Sequence, residues 1–308
     1  MLHNTPFLQD FMARYNYPAE AVSLFTEVLE KLDSNKSYAR TFDALYDKFE
    51  HHKARLDGKL LAKLDILAAR MGYSRYTLHF VFALSLTYEL WEQYGLMGID
   101  EQIYWDTMDD LRCKLLECME CKGVPGSFVA DWFDGFFRLD RVAYGRFQYQ
   151  LCHFSEKNKP FTMSCGHVIN PGDRLIGFHI PSSGVPLTDE VRFASYKCAW
   201  EHLHGLFPDG RVIFICGSWL LNPNHPKFLP ENLNILKFIN DFEIIDSWEG
   251  KEFNDAWRIF GRYAEKPFDE WPADTSLRHA YVDWIKSGGA PGGAAEGVIM
   301  FDGEKIVR

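Results

Sequence analysis

The chain has 308 residues, of which 47% are hydrophobic, 16% aromatic and 25% charged, a balance with ample core material that excludes an intrinsically disordered or fibrous protein. Lysine and arginine total 33 against 43 aspartates and glutamates, a formal net charge of -10 that repels a polyanion over most of the surface and argues against a nucleic-acid partner. The length predicts two domains, seven unpatterned cysteines fit reduced thiols, and the opening MLHNTPFLQDFMARY lacks the order of a secretory signal, so the cytoplasm is the expected compartment.

The first 120 or so residues have helical periodicity. Behind Pro18, Val22, Phe25, Leu29 and Leu32 form one stripe; Phe42, Leu45 and Phe49 form a second; Leu60, Leu64 and Leu67 form a third that ends near Gly72. Tyr76 to Trp91 reads as one buried helix, too short and too polar to cross a bilayer. Ile103, Leu111, Leu115 and Met119 mark a further helix ending near Gly123, and an aromatic-rich connection leads to a domain boundary near Asp140. Residues 1–140 are therefore expected to be all-helical and residues 141–308 to form a mixed α/β domain, an α+β chain overall.

After that boundary the period changes. GRFQYQLCHF, DRLIGFHIP and RVIFICGSWLL are short β-branched and aromatic runs, and an amphipathic helix from about Thr188 to Leu206 joins the last two. Pro230 to Asn240 reads as a short helix, FEIIDSW as a strand, and the segments around Phe253–Phe260 and Thr275–Lys286 as two more helices. VIMF and EKIV flank Asp302-Gly303, the dipeptide of a two-residue hairpin turn. Gly288 to Gly297, GGAPGGAAEG, reads as a mobile loop.

Spacing removes several chemistries: the chain has no phosphate-loop, dinucleotide or zincin motif. Cys118 and Cys121 form a C-x-x-C near a helix C-terminus, where the carbonyl pole disfavours a thiolate, so no metal site is expected. DRLIGFHIPSSGVPLTDE has a strand running through a Pro/Ser/Gly loop into a helix N-terminus, an arrangement that suits an anion. Asp189 and Glu190 in the first turn oppose an anion that faces them.

The strings GRFQYQL, DRLIGFHIPSSGVPLT, ICGSWLLNP and NLNILKF, in this order behind a helical block, resemble a group of bacterial GNAT-like N-acyltransferases over nearly the whole chain. The resemblance implies an acyl-CoA N-acyltransferase fold in the C-terminal domain, whose two neighbouring parallel strands, here DRLIGFHIP and RVIFICGSWLL, splay to admit the pantetheine arm of acyl-CoA. It implies that Phe178, His179 and Ile180 offer backbone groups to pantetheine, and that Ser182, Ser183, Gly184 and Thr188 receive the pyrophosphate. IPSSGVPLT departs from the superfamily's usual [RQ]-x-x-G-x-[GA] loop.

N-acyl transfer needs a neutral amine, donors for the developing oxyanion and a proton for the departing thiolate. His179 is the expected general base because imidazole titrates nearest neutrality; the competing reading is a hydrogen-bonded core histidine. Ser218 is the expected proton donor, Trp219 a wall of the acyl or acceptor pocket, and Asn222 and Asn234 hydrogen-bonding partners of pantetheine or the acceptor. The expected reaction transfers an acyl group, acetyl by default, from acyl-CoA (acetyl-CoA) to a small-molecule or peptide amine, without metal, nucleic acid or membrane. Two alternatives stand beside it: a degenerate GNAT-like domain that holds an acyl group or peptide without turnover, and a Ser218/His179 hydrolase.

Overall fold

The computed structural model describes residues 4–51 and 54–308. They divide into two compact units, Met1–Val142 and Ala143–Arg308. The first contains α1 (Thr5–Arg14), α2 (Ala19–Ser34), α3 (Lys36–His51), α4 (Gly58–Met71), α5 (Arg75–Ser85), α6 (Thr87–Leu96), α7 (Glu101–Lys122) and α8 (Asp134–Phe137). Helices α4 and α7 stop where expected, at Gly72 and Gly123, whose φ values of 77° and 68° favour glycine.

The stretch from Tyr76 to Trp91 is two helices, not one. The break falls at Leu86, where Ser85 and Thr87 turn their hydroxyls back onto the carbonyls of Val81 and Leu84. Such bonding bends a helix. Residues Thr77 to Ser85 of α5 are all buried, so this helix is enclosed on every side, and Phe80 stacks on Phe25 at 4.9 Å in the core around it.

The second unit holds β1 (Arg141–Tyr144, which spans the boundary), β2 (Phe147–His153), β3 (Phe161–Thr162), β4 (Val168–Ile169), β5 (Arg174–His179), α9 (Asp189–Leu203), β6 (Val212–Ser218), α10 (His225–Phe228), α11 (Asn234–Ile239), β7 (Glu243–Gly250), α12 (Trp257–Phe260), α13 (Ser276–Lys286), β8 (Gly292–Phe301) and β9 (Ile306–Val307). The main sheet runs β1-β2-β5-β6-β8-β7, with β9 on β8; β5 and β6 are the parallel pair, and β2–β5, β6–β8 and β7–β8 are antiparallel.

Strand alternation sorts the core by face. Ile176, Phe178, Phe214 and Cys216 pack with Tyr196 and Ala199 of α9. Leu175, Ile213, Val298 and Met300 pack with Met163 and Ile169 of the β3–β4 hairpin.

Two expectations for this unit need correction. The Gly288–Gly297 patch is not a loop beyond Gly292: Gly292–Gly297 belongs to β8, paired with β7 along this length and with β6 from Ala295 onward. Its glycines answer to close approach. A Cβ on Gly293 would sit 2.7 Å from Asn222 Nδ2, and one on Gly292 would sit 2.2 Å from the Glu252 carbonyl oxygen. The β8–β9 hairpin is also wider than expected: Phe301 pairs with Ile306, leaving a four-residue loop in which Asp302 Oδ1 accepts from the amides of Glu304 and Lys305. Among the described residues, no helix is long and apolar enough to cross a membrane.

Candidate active site

The parallel ladder between β5 and β6 is short. It joins Ile176 to Phe214 and Gly177 to Ile215 and goes no further. Yet β5 stays paired with β2 as far as His179, opposite Gln148, and β6 stays paired with β8 as far as Ser218, opposite Ala295. Each strand thus keeps its outer neighbour while the two part from each other beyond Gly177. Past the end of the ladder, the backbone groups that alternate residues of β5 and β6 turn toward each other no longer have a strand partner on that side. Unpaired strand edges of this kind take an extended, amide-bearing ligand by supplying the hydrogen bonds it lacks.

Phe178 is 2% exposed and lies against Phe147, with ring centroids 4.4 Å apart, so its side chain is core. His179 follows it and by alternation points to the opposite face, away from α9. Beyond lies the loop of Ile180 to Thr188, in which Ser182 and Gly184 are exposed. Gly184 has a φ of 78° and open space around it, and Ser183 Oγ accepts from the Val185 amide at 3.4 Å. Thr188 caps α9, its Oγ1 accepting from the Val191 amide at 3.4 Å.

Arg192 locks this helix in place from beneath. It is 2% exposed, forms a bidentate pair with Asp241 at 2.6 and 3.2 Å, donates to the Leu187 carbonyl at 2.7 Å and meets Asp189 at 3.0 Å. Tyr196 donates to the same Asp241 carboxylate. The buried guanidinium therefore ties the end of the loop and the start of α9 to the segment entering β7.

Two cations stand beside the loop that the sequence did not single out. Arg146 donates through Nε to the Val185 carbonyl at 3.2 Å, and Lys237 on α11 lies 3.9 Å from Asp189. With Gln148 opposite His179, two steps back reach Arg146, just before β2 and level with Pro181. That register is not readable without the fold. The first-turn carboxylates oppose these cations, and Glu190 is held below its ordinary range by its own backbone N–H and by Thr188.

The remaining expected residues separate. Ser218 Oγ accepts from the Leu220 amide at 3.1 Å and opens the short helical turn Trp219–Leu221. It shares a parity with Phe214 and Cys216, so it belongs to the α9 face and His179 to the other; the structure does not bring them together as a nucleophile and base. Trp219 is half-buried against Phe253 and Tyr281. Asn222 is 2% exposed, wedged on Gly293, and accepts from the Asn224 amide at 3.0 Å. Its side-chain oxygen serves the turn into Asn224. Asn234 begins α11 and is half-buried.

His225, which the sequence reading passed over, is fully buried. Its Nε2 meets the Tyr281 hydroxyl at 2.5 Å and its Nδ1 the Leu220 carbonyl at 3.3 Å. Burial pushes its pKa down to about 4, so it is neutral near pH 7, Nδ1–H donating to Leu220 and Nε2 accepting from Tyr281. This bond pins the Trp219–Leu221 turn from behind. Burial likewise pushes the Cys118 thiol up to about 12, which makes it an inert packing group.

Residues 142–299 match the family described as GNAT-like C-terminal domain, and residues 6–139 match the N-acyltransferase N-terminal domain. No curated protein matches the sequence. Among solved structures, an acyltransferase mutant in complex with octanoyl-CoA is 19% identical with a TM-score of 0.74, over 96% of this chain and 88% of its own. An acyltransferase in complex with decanoyl-CoA and teicoplanin is 20% identical with a TM-score of 0.71, over 95% and 87%. An acyltransferase in complex with decanoyl-CoA is 22% identical with a TM-score of 0.67, over 94% and 86%. At these identities the likeness carries the fold.

Proposed function

Because the chain belongs to the GNAT-like N-acyltransferase family and is an acyltransferase, we propose that it moves an acyl group from acyl-CoA to an amine, with the thioester held in the parting between β5 and β6. The observation that carries this reading is the early end of the β5–β6 ladder at Gly177/Ile215, while both strands stay paired outward to His179 and Ser218. Pantetheine is an extended chain with two amides, and it fits an opening of that kind. The backbone of Phe178, His179 and Ile180 receives it, and Ser182, Ser183, Gly184 and the capped start of α9 at Thr188 lie where the pyrophosphate emerges. Arg146 and Lys237 supply the positive charge that the loop sequence itself lacks.

In the reaction His179 takes a proton from the acceptor ammonium, and the freed nitrogen lone pair forms a C–N bond to the thioester carbonyl carbon. The C–S bond then breaks and the electron pair leaves with sulfur; the nitrogen loses its second proton, which replaces the one that the CoA thiolate takes up. Ser218 is the donor proposed for it, since its Oγ accepts from the Leu220 amide and its own hydrogen remains to give. Trp219 and Asn234 flank the acyl or acceptor group in this reading. The sum is ammonium plus acyl-CoA giving amide, CoA thiol and one proton.

The sequence alone points to acetyl as the donor group and to a small-molecule or peptide amine as acceptor. Structural neighbours were solved with octanoyl-CoA, with decanoyl-CoA and with teicoplanin, so a longer chain and a glycopeptide acceptor enter the test on equal terms. Release of CoA thiol from acetyl-, octanoyl- and decanoyl-CoA is measured with and without a panel of amines. Amine-dependent release supports the proposal; binding without release under every pairing supports the second reading, ligand holding without turnover, which the carboxylates of Asp189 and Glu190 at the helix start favour.

A further inference from the structure

We propose that the acceptor amine docks on the sheet face that carries His179, and that Glu296 on β8 is the carboxylate that holds its ammonium across Gly217; this rests on the acyl-CoA reading above. Ladder registers place these residues in one row. Gly177 lies opposite Ile215, so two steps on His179 and Gly217 share a face, and Gly217 pairs with Glu296. The face is the one turned away from α9, since Phe178 and Cys216 take the other. A donor whose phosphates lie at the start of α9 and an acceptor on this face meet through the parting from opposite sides.

Gly217 makes the row a site. It is exposed, and a Cβ built on it would meet nothing within 4 Å. With strand spacing of about 4.8 Å, the α-carbons of His179 and Glu296 stand at least roughly 10 Å apart across that open floor, which is room for an amine between two side chains. Glu296 is half-buried, accepts from Asn158 Nδ2 at 3.5 Å and, among the described residues, has no lysine or arginine partner. On the same face, Cys152 of β2 has its thiol pushed up chiefly by burial, with the Glu296 carboxylate adding to the shift.

An independent observation points to a ligand there. Gln148 is 1% exposed and lies opposite His179 on the same face, and its Oε1 has no hydrogen-bond partner among the described residues. A buried amide oxygen left unsatisfied is costly, and an N–H of the acceptor satisfies it. Farther along the row, β7 contributes Asp246 opposite Glu296 and Trp248 opposite Ala294, the latter 52% exposed. The acceptor class is therefore a cationic primary amine on a body with a flat apolar surface for Trp248 to cover.

Two thioethers of CoA test this without knowledge of the acceptor: one ends in an aminoethyl group and places an ammonium beside the sulfur, the other ends in a hydroxyethyl group. Titration calorimetry on the full chain should show the amine form binding roughly tenfold tighter or better, the range of a charge-assisted hydrogen bond. Glu296→Gln should erase that preference and leave affinity for the hydroxyl form unchanged, which also reports an intact fold; Asp246→Asn should keep it. Equal affinities in the unsubstituted protein, or a preference that survives Glu296→Gln, overturn the proposal. Failure of both thioethers to bind overturns the acyl-CoA reading and this one with it, an outcome distinct from equal binding.

Discussion

His179 and Gly217 carry opposite kinds of information at a single site. For His179 the competing roles differ in what they cost: a general base is worth roughly a hundred- to ten-thousand-fold in rate, a core hydrogen bond about a kcal/mol in stability. His179→Gln is expected to lose turnover on that scale and keep its affinity for acyl-CoA, as steady-state thiol release and calorimetry would show. Near-normal turnover with a lowered melting temperature would assign the ring to packing. Gly217 and Gly293 make a matched pair of glycines, one beside empty space and the other pressed on Asn222. Gly217→Leu should therefore change stability by no more than about 0.5 kcal/mol while blocking acyl transfer, whereas Gly293→Ala should cost about 1–3 kcal/mol in denaturant unfolding. The reverse order of stabilities would contradict the placement of β8. None of this contrast was legible beforehand, because a glycine that clears a path and a glycine that admits a neighbour are the same letter.

Among the elements, those with strong periodicity were readable and those shaped by tertiary contact were not. β5, α9 and β6 emerge from the sequence because β-branched runs and a three-to-four-residue apolar repeat alternate there. The first half of β8 did not, since strand propensity is read from bulky side chains and this strand is built from Gly and Ala to fit Asn222, Glu252 and Phe242; Glu296 was hidden with it. The Arg192–Asp241 pair is likewise invisible as spacing, being 49 residues apart in the chain. Asp241→Ala would leave a buried guanidinium with only the exposed Asp189 carboxylate beside it and should cost about 3 kcal/mol, read as a lower urea midpoint; a loss under about 1 kcal/mol would mean the arginine is solvated.

The His225–Tyr281 bond gives the α10–α13 region a pH signature. The pKa of His225 in the folded state, about 4, lies below the ordinary value, so the unfolded chain binds the proton more readily. Its contribution is fully present above about pH 6.5 and is lost as the pH falls toward 4, on the order of 3 kcal/mol across that window. Comparing urea midpoints of the protein and of His225→Asn from pH 7 to pH 4 isolates it: the gap between the two should narrow as the pH falls. A constant gap would show that His225 is not buried as a neutral ring.

For the whole molecule, composition and charge narrowed the class, the shift from helical to strand periodicity gave the α+β architecture, and the resemblance of four short strings gave the family that residues 6–139 and 142–299 confirm. What remained outside reach was the register that sets Arg146 beside the loop, Gln148 beside His179 and Glu296 beyond Gly217, because pairing between distant strands is decided by three-dimensional packing and not by local pattern. The central claim is that the parting of β5 and β6 holds an acyl-CoA. Calorimetric titration of the protein with acetyl-, octanoyl- and decanoyl-CoA, paired with melting curves, tests it most directly. One site per chain is expected, with a stabilisation of about 2.7 kcal/mol at a hundredfold excess over Kd; absent heats and unmoved melting curves with all three thioesters at millimolar concentration would contradict the account.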